Sequence, residues 1–164
     1  MLSYLYYQVY TSEVPNELSL GISILGCPIH CPDCHSPHVW DIHSIGQGKD
    51  LTVEELDSII LKQPWVSCIL FYGGEWELDS LTALLCHIKL ILRGQYKTAL
   101  YSGQNLSYFA QKPILNYLDY LKVGPYIKEL GGLIYPSTNQ KLYTLDNGEI
   151  DEDITHLFWR TGIR

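Results

Sequence analysis

No stretch of this 164-residue sequence approaches the roughly 20 consecutive apolar residues needed to cross a bilayer. Its opening residues also lack the charged and apolar regions of a secretion signal. Basic residues are scarce: 11 Lys and Arg against 18 Asp and Glu leave a formal net charge of −7. That balance works against non-specific attachment to nucleic acid, whose phosphates demand a basic face. Thirteen tyrosines are available to stack on bases, but no basic stripe accompanies them. There is no linker, internal repeat or low-complexity segment. Five cysteines are an odd number, and three are bunched too closely for a disulfide framework. The expectations are a reducing cytoplasm, no membrane and no polynucleotide partner. A hydrophobic content of 46% with 18% charged residues suits a single globular domain over residues 1–164 with one sizeable core.

The bunched cysteines carry the most information. Cys27, Cys31 and Cys34 form a C-x3-C-x2-C array directly after the apolar stretch Leu18 to Leu25. A fourth cysteine is missing nearby; Cys68 is the next and lies far downstream. A closed structural zinc site wants four ligands, and three thiolates are one short. Three thiolates suit a [4Fe–4S] cube with one iron left open, whereas ferredoxin arrays close the cube with a fourth cysteine. The competing reading is a structural zinc knuckle, part of a non-catalytic adaptor, completed by His30, His35 or His38. Cys68 and Cys86 sit in apolar patterns and read as core residues. His43, His87 and His156 read as surface or packing residues.

Extended and helical patterns alternate along the chain. Leu18 to Leu25 reads as a first core strand, followed by a loop rich in Pro, Gly and His from Gly26 to Lys49. Thr52-Val53-Glu54-Glu55 fits a capping box opening a helix to about Lys62, which Pro64 ends. Val66 to Tyr72 predicts a strand, Leu78 to Leu92 a helix, and Thr98 to Tyr101 a strand. Asn105 to Gln111 and Ile114 to Asp119 predict helical pieces, and Tyr120 to Val123 a further strand. Lys141 to Leu145 then predicts a strand that runs into a turn at Asp146-Asn147-Gly148. Strands separated by helices imply βαβ units and a parallel sheet. The expected fold is α/β, an open partial (βα) barrel, since a full eight-stranded barrel needs about 250 residues. Ligands of such folds sit beyond the carboxyl ends of the strands. The cysteine loop, Gly73-Gly74-Glu75, Ser102-Gly103 and Gly124 each follow a predicted strand, so all four are expected on one rim.

The run Gly26 to Asp41, GCPIHCPDCHSPHVWD, resembles the cluster loop of radical S-adenosylmethionine (SAM) enzymes. Cys34-His35 and Trp40-Asp41 narrow the likeness to activating enzymes of glycyl-radical enzymes. Phe71-Tyr72-Gly73-Gly74-Glu75 looks like that family's Gly-Gly-Glu strand end. Leu121 to Ile127, Leu130 to Leu133 and Thr138-Asn139-Gln140-Lys141 look like the C-terminal signature of anaerobic ribonucleoside-triphosphate reductase activating proteins. The resemblance runs from about Gly21 to Tyr143. It implies a [4Fe–4S] cluster on Cys27, Cys31 and Cys34, and SAM bound through its methionyl amino and carboxylate groups. It also implies reductive cleavage of SAM to a 5′-deoxyadenosyl radical, which takes hydrogen from a glycine of the reductase. A flavodoxin-like electron donor is implied as well. No side chain need act as a general base, and the cofactor supplies the hard chemistry.

On this resemblance the SAM-binding candidates are Asp33, Cys34, His35, Gly73, Gly74, Glu75, Ser102 and Lys122. Glu75 is assigned to the methionyl ammonium, with Gly73 and Gly74 letting backbone approach the ligand; the alternative is an ordinary tight turn after a strand. His35 is assigned to the adenine, against a solvated loop histidine. Lys122 is open between neutralising the SAM carboxylate and lying on a solvated flank. Trp40-Asp41 is expected to fold the cluster loop onto the core. The sequence departs from the family pattern at four places. Asp33 stands where an aromatic residue commonly precedes the third cysteine, and Ser36 where asparagine often follows Cys-His. Trp76 replaces a frequent proline, and Lys141 a frequent arginine. None removes an iron ligand. The remaining alternative within the superfamily is an activator of another glycyl-radical enzyme or a small-molecule enzyme.

Overall fold

Four short apolar segments lie side by side in parallel and carry everything else. The computed structural model describes residues 1–41, 48–92 and 94–159. In chain order the strands and helices are β1 (Ser3–Tyr10), β2 (Ser19–Ile24), β3 (Lys49–Asp50), α1 (Val53–Leu61), β4 (Cys68–Tyr72), α2 (Leu78–Leu90), β5 (Lys97–Tyr101), α3 (Leu106–Phe109), β6 (Tyr120–Val123), β7 (Lys141–Asp146) and β8 (Glu149–Asp153). They form one eight-stranded sheet in the order β3-β1-β2-β4-β5-β6-β7-β8, which does not close on itself. The β2-β4-β5-β6 pairs are parallel, and the flanking pairs are antiparallel. The fold is therefore mixed α/β: the expectation of parallel strands holds for the centre of the sheet and not for its flanks.

Period two divides the central strands between two faces. Leu20, Ile22, Ile69, Phe71, Leu100 and Leu121 point to one side, where Leu56 and Ile59 of α1 and Leu81, Leu85 and Ile88 of α2 cover them. Each fully buried side chain of this size contributes about 1.5–3 kcal/mol. The Thr52 hydroxyl accepts from Glu55 N at 3.2 Å, as the capping motif predicts. The reciprocal half of the box is absent; the Glu55 carboxylate instead accepts from the Tyr4 hydroxyl at 2.5 Å.

The other face carries Cys68, Leu70 and Ala99, with Tyr72, Tyr101 and Tyr120 beside them. No helix covers it. The connection between β1 and β2 crosses it instead, burying Val14 completely. Tyr101 donates its phenol to the Glu13 carbonyl, and Tyr120 donates to the Glu17 carboxylate at 2.8 Å. Burial pushes the Tyr72 and Tyr101 phenols well up, and Glu13 adds to the effect.

Three strands have no counterpart in the sequence reading: β1, β3 and β8. A register shift between Tyr4 and Tyr6 breaks the alternation of β1, and β8 is exposed at every position. The predicted helical pieces after β5 reduce to the four-residue α3 and a 3-10 helix, Pro113–Tyr117. Cys68 is fully buried, whereas Cys86 is only half-buried on α2. His87 pairs with Asp57 at 2.8 Å, and His156 lies edge-on to Trp159. His43 lies outside the described residues. Among the described residues no helix is long and apolar enough to cross a membrane.

Candidate functional site

The cysteine loop leaves the end of β2 through Gly26, whose φ of 91° turns the chain sharply. The base of the loop is closed by backbone: Gly26 N and Cys27 N both donate to Val39 O, at 2.8 and 3.2 Å. Two further left-handed residues, His30 (φ 49°) and Asp33 (φ 57°), bend the segment so that all three cysteines lie on one short loop. Asp tolerates that conformation better than a bulky aromatic residue, which accounts locally for Asp33. Its carboxylate pairs with Lys128 at 3.2 Å, on the exposed side of the loop.

All three cysteines are free and partly exposed. Cys34 N donates to Cys31 O at 3.1 Å, and Ser36 N approaches Cys34 Sγ at 3.3 Å. Burial pushes the Cys27 thiol up, and the Ile29 and His30 N–H groups pull it back. N–H···S contacts of this kind orient thiolates and tune the potential of a cluster they hold. His30 stacks on Trp40 with ring centroids 4.7 Å apart, so Trp40 braces the loop through a histidine. His38 stacks on Tyr6 at 6.0 Å, and His35 tilts against Tyr126 at 5.4 Å. Among the described residues no three His, Cys, Asp or Glu side chains gather as a single metal ion requires.

The other predicted elements lie at the same ends of the parallel strands. Ser23, Tyr72, Tyr101 and Lys122 form one register row across β2, β4, β5 and β6. Beyond this row come the cysteine loop, Gly73 to Glu75, Ser102-Gly103 and Gly124. Ile29 of the cysteine loop lies over Gly103, where a Cβ would stand 2.7 Å from its Cδ1. Gly73 and Gly74 have φ of 85° and 101°. A Cβ at Gly73 would meet the Trp76 ring at 2.6 Å. Gly73 thus serves the turn and the seat of Trp76, while a Cβ at Gly74 would meet Leu2 at 3.4 Å and Ile24 at 3.6 Å.

Glu75 and Lys122 are the buried charges of the rim. Ser102 Oγ donates to Glu75 Oε1 at 2.7 Å, while Oε2 is buried with no hydrogen-bond partner among the described residues. Burial raises the Glu75 carboxyl, with the Ser102 bond opposing it. Lys122 is buried and does not lie on a solvated flank. It donates to Gly124 O at 2.9 Å and Ser102 O at 3.4 Å. Burial lowers it to about 8, against the opposing pull of Cys31, Glu75 and Cys34.

The segment Thr138 to Gln140 gives this rim its outer wall, a role that spacing alone does not reveal. Gln140 Nε2 donates to Gly124 O at 3.3 Å, Asn139 Nδ2 to Pro125 O at 2.9 Å, and Thr138 Oγ1 to Gly131 O at 3.1 Å. Tyr126 and Lys128, which touch His35 and Asp33, belong to the stretch these bonds hold.

Three thiols on one loop are a donor set for an iron–sulfur protein, and a buried carboxylate oxygen without a partner among the described residues lies on the same rim. The chain belongs to the 4Fe-4S single cluster domain family, whose model matches residues 19–143. No curated protein and no solved structure matches the chain.

Proposed function

We propose that this protein is a radical SAM activase that installs the glycyl radical of an anaerobic ribonucleotide reductase. The observation that carries the reading is Glu75 Oε2: a buried carboxylate oxygen without a partner, on the rim that bears the cysteine loop. Leaving such an oxygen unpaired costs about 1–3 kcal/mol or more, and an ammonium group relieves it. The methionyl amino group of SAM is such a group, so the residues present fit the cofactor. Cys27, Cys31 and Cys34 would hold the cluster; Glu75 would receive the amino group of SAM, and His35 beside Tyr126 would flank its adenine. When bound, the cluster supplies the electron that cleaves SAM to methionine and a 5′-deoxyadenosyl radical. The chain's own part is to hold, orient and exclude water.

A protein substrate fits the helix-free face. Val14 packs on it beneath the register row, and Glu13 O and the Glu17 carboxylate accept from the Tyr101 and Tyr120 phenols, so approach is from the rim. A glycine-bearing loop of a partner would have to come within about 3–3.5 Å of the reacting carbon. The Leu121 to Lys141 stretch supports the reductase as that partner. A cytoplasmic setting with a flavodoxin-like donor belongs to the same proposal. The test mixes reduced, cluster-loaded protein, SAM and the reductase, and looks by electron paramagnetic resonance for a glycyl doublet. A reductase with its glycine changed to alanine must not give it. SAM cleavage with consumption of a small molecule and no doublet would replace this reading by a small-molecule radical SAM enzyme.

A further inference from the structure

Cys27 lines a hollow of about 600 Å³ beside the cysteine loop, walled by Gly26, Pro28, His30, Pro37, Trp40 and Asp41. Glu75, Ser102 and His35 take no part in that wall, so the hollow is separate from the side assigned to SAM. Other parts of the loop are engaged: Ile29 lies over Gly103, Asp33 pairs with Lys128, and His35 tilts against Tyr126. On the Cys27 side, Pro28, His30 and Pro37 are exposed. The His30 and Trp40 rings stack there at 4.7 Å, 24° from parallel. The 3-10 turn Pro37–Val39 holds the base of the loop through Val39 O. Among the described residues no lysine or arginine lines the hollow, so it offers no cation to a phosphate. Proline and aromatic rings suit a flat, uncharged ring system instead.

We propose that this hollow is the docking site of the one-electron donor, a small flavoprotein that seats the exposed edge of its reduced flavin against Pro28, Pro37 and the His30–Trp40 pair. Cys27 is both a wall of the hollow and a ligand of the cluster, so a reductant seated there touches a ligand. The reduced flavin loses one electron and the cluster gains it; no bond in this chain forms or breaks. A donor entering here leaves the rim free for SAM and for a protein substrate. The inference deepens the proposed function by giving its donor a binding surface. It rests on the cluster and not on SAM cleavage, so the two fail separately.

The experiment loads wild type, Pro37→Glu and His30→Asn with cluster under anaerobic conditions and mixes each, without SAM, with fully reduced flavodoxin. Asparagine tolerates the left-handed backbone of position 30. Cluster reduction is followed by freeze-quench electron paramagnetic resonance, and flavodoxin affinity by calorimetry. Dithionite serves as a reductant that needs no docking surface. Pro37→Glu, which puts a charge in the seat of the ring, is expected to lower flavodoxin affinity and flavodoxin-driven reduction about tenfold, with the dithionite-driven rate within about twofold of wild type. His30→Asn, which removes the ring stack, is expected to move in the same direction. Flavodoxin-driven rates at the wild-type level in both variants overturn the proposal. So does a wild type that dithionite reduces and flavodoxin does not. An equal fall with dithionite assigns both residues to the structure of the loop and overturns it too. Variants that slow an iron–sulfur donor and leave flavodoxin untouched overturn the flavin assignment. A wild-type dimer in sedimentation that Pro37→Glu abolishes gives the hollow to a second copy. A wild type that retains no iron and sulfide sinks the cluster itself, a failure visible before any donor is added.

Discussion

Ser102 Oγ and Glu75 Oε1 stand 2.7 Å apart, both side chains buried, tying the end of β5 to the turn after β4. The bond orients the carboxylate through Oε1 and leaves Oε2 without a hydrogen-bond partner among the described residues. On the proposed reading that oxygen is the SAM contact. Glu75→Ala is then expected to keep the cluster and weaken SAM binding by roughly ten- to a hundredfold, the loss of one charge-assisted hydrogen bond of about 1.5–3 kcal/mol. Ser102→Ala is expected to cost less, because it frees the carboxylate without removing it. Titration of SAM against the cluster's spectrum measures both. Unchanged affinity in Glu75→Ala would leave this residue a structural role alone.

The same carboxylate sets a pH dependence in the cluster-free protein. Burial raises its folded-state pKa above the usual glutamate value, so the native state holds a proton that the unfolded chain has released. Stability from this group is greatest below the unfolded pKa, near 4.5, and declines as pH rises through the raised folded value. Glu75→Gln removes that decline. It is expected to be more stable than wild type at pH 8, on the order of 1 kcal/mol, with the gain shrinking towards pH 4. Urea unfolding of both proteins at several pH values reads it directly.

The cysteines separate cleanly by position. Alanine at Cys27, Cys31 or Cys34 is expected to abolish cluster retention, as judged by iron and sulfide analysis after anaerobic reconstitution. Cys68→Ala and Cys86→Ala are expected to retain it. Cys68 is fully buried on β4, so its alanine variant should instead lose stability by about 1 kcal/mol or more. A Cys68→Ala protein as empty of iron as Cys31→Ala would show that the three-ligand assignment is wrong.

Gly124 tests the outer wall. Its φ is 100°, and a Cβ there would meet Asn139 O at 3.1 Å and Gln140 Cα at 3.2 Å, both backbone atoms. Gly124→Ala is expected to destabilise the protein by about 1–3 kcal/mol. Gln140→Ala loses only one neutral hydrogen bond to Gly124 O and should cost about 1 kcal/mol. Thermal unfolding of the two variants separates backbone strain from the loss of that bond.

Much of this was legible in residue order because it depends on local patterns. The α1 cap, the central strands and the cysteine array each follow from a few adjacent residues, and the structure places them where those residues imply. The strands β1 and β8 were not legible. The first carries a bulge that breaks its period, and the second is an acidic edge with no buried position to mark it. Nor could spacing reveal that Gly73 accommodates Trp76, or that Glu13 and Glu17 reach the tyrosines of the far face, since those contacts join residues distant in the chain.

The sequence by itself determined the α/β alternation and the three-cysteine loop following a strand. A hydrophobic period and a ligand spacing are properties of short segments. Only the tertiary structure decided which charges of the rim are buried, because burial depends on what packs around a side chain. On a strand read alone, both directions are open to Lys122. The fold buries it, the Gly124 and Ser102 carbonyls hold it, and the hydrogen bond from Ser102 leaves Glu75 with one free oxygen.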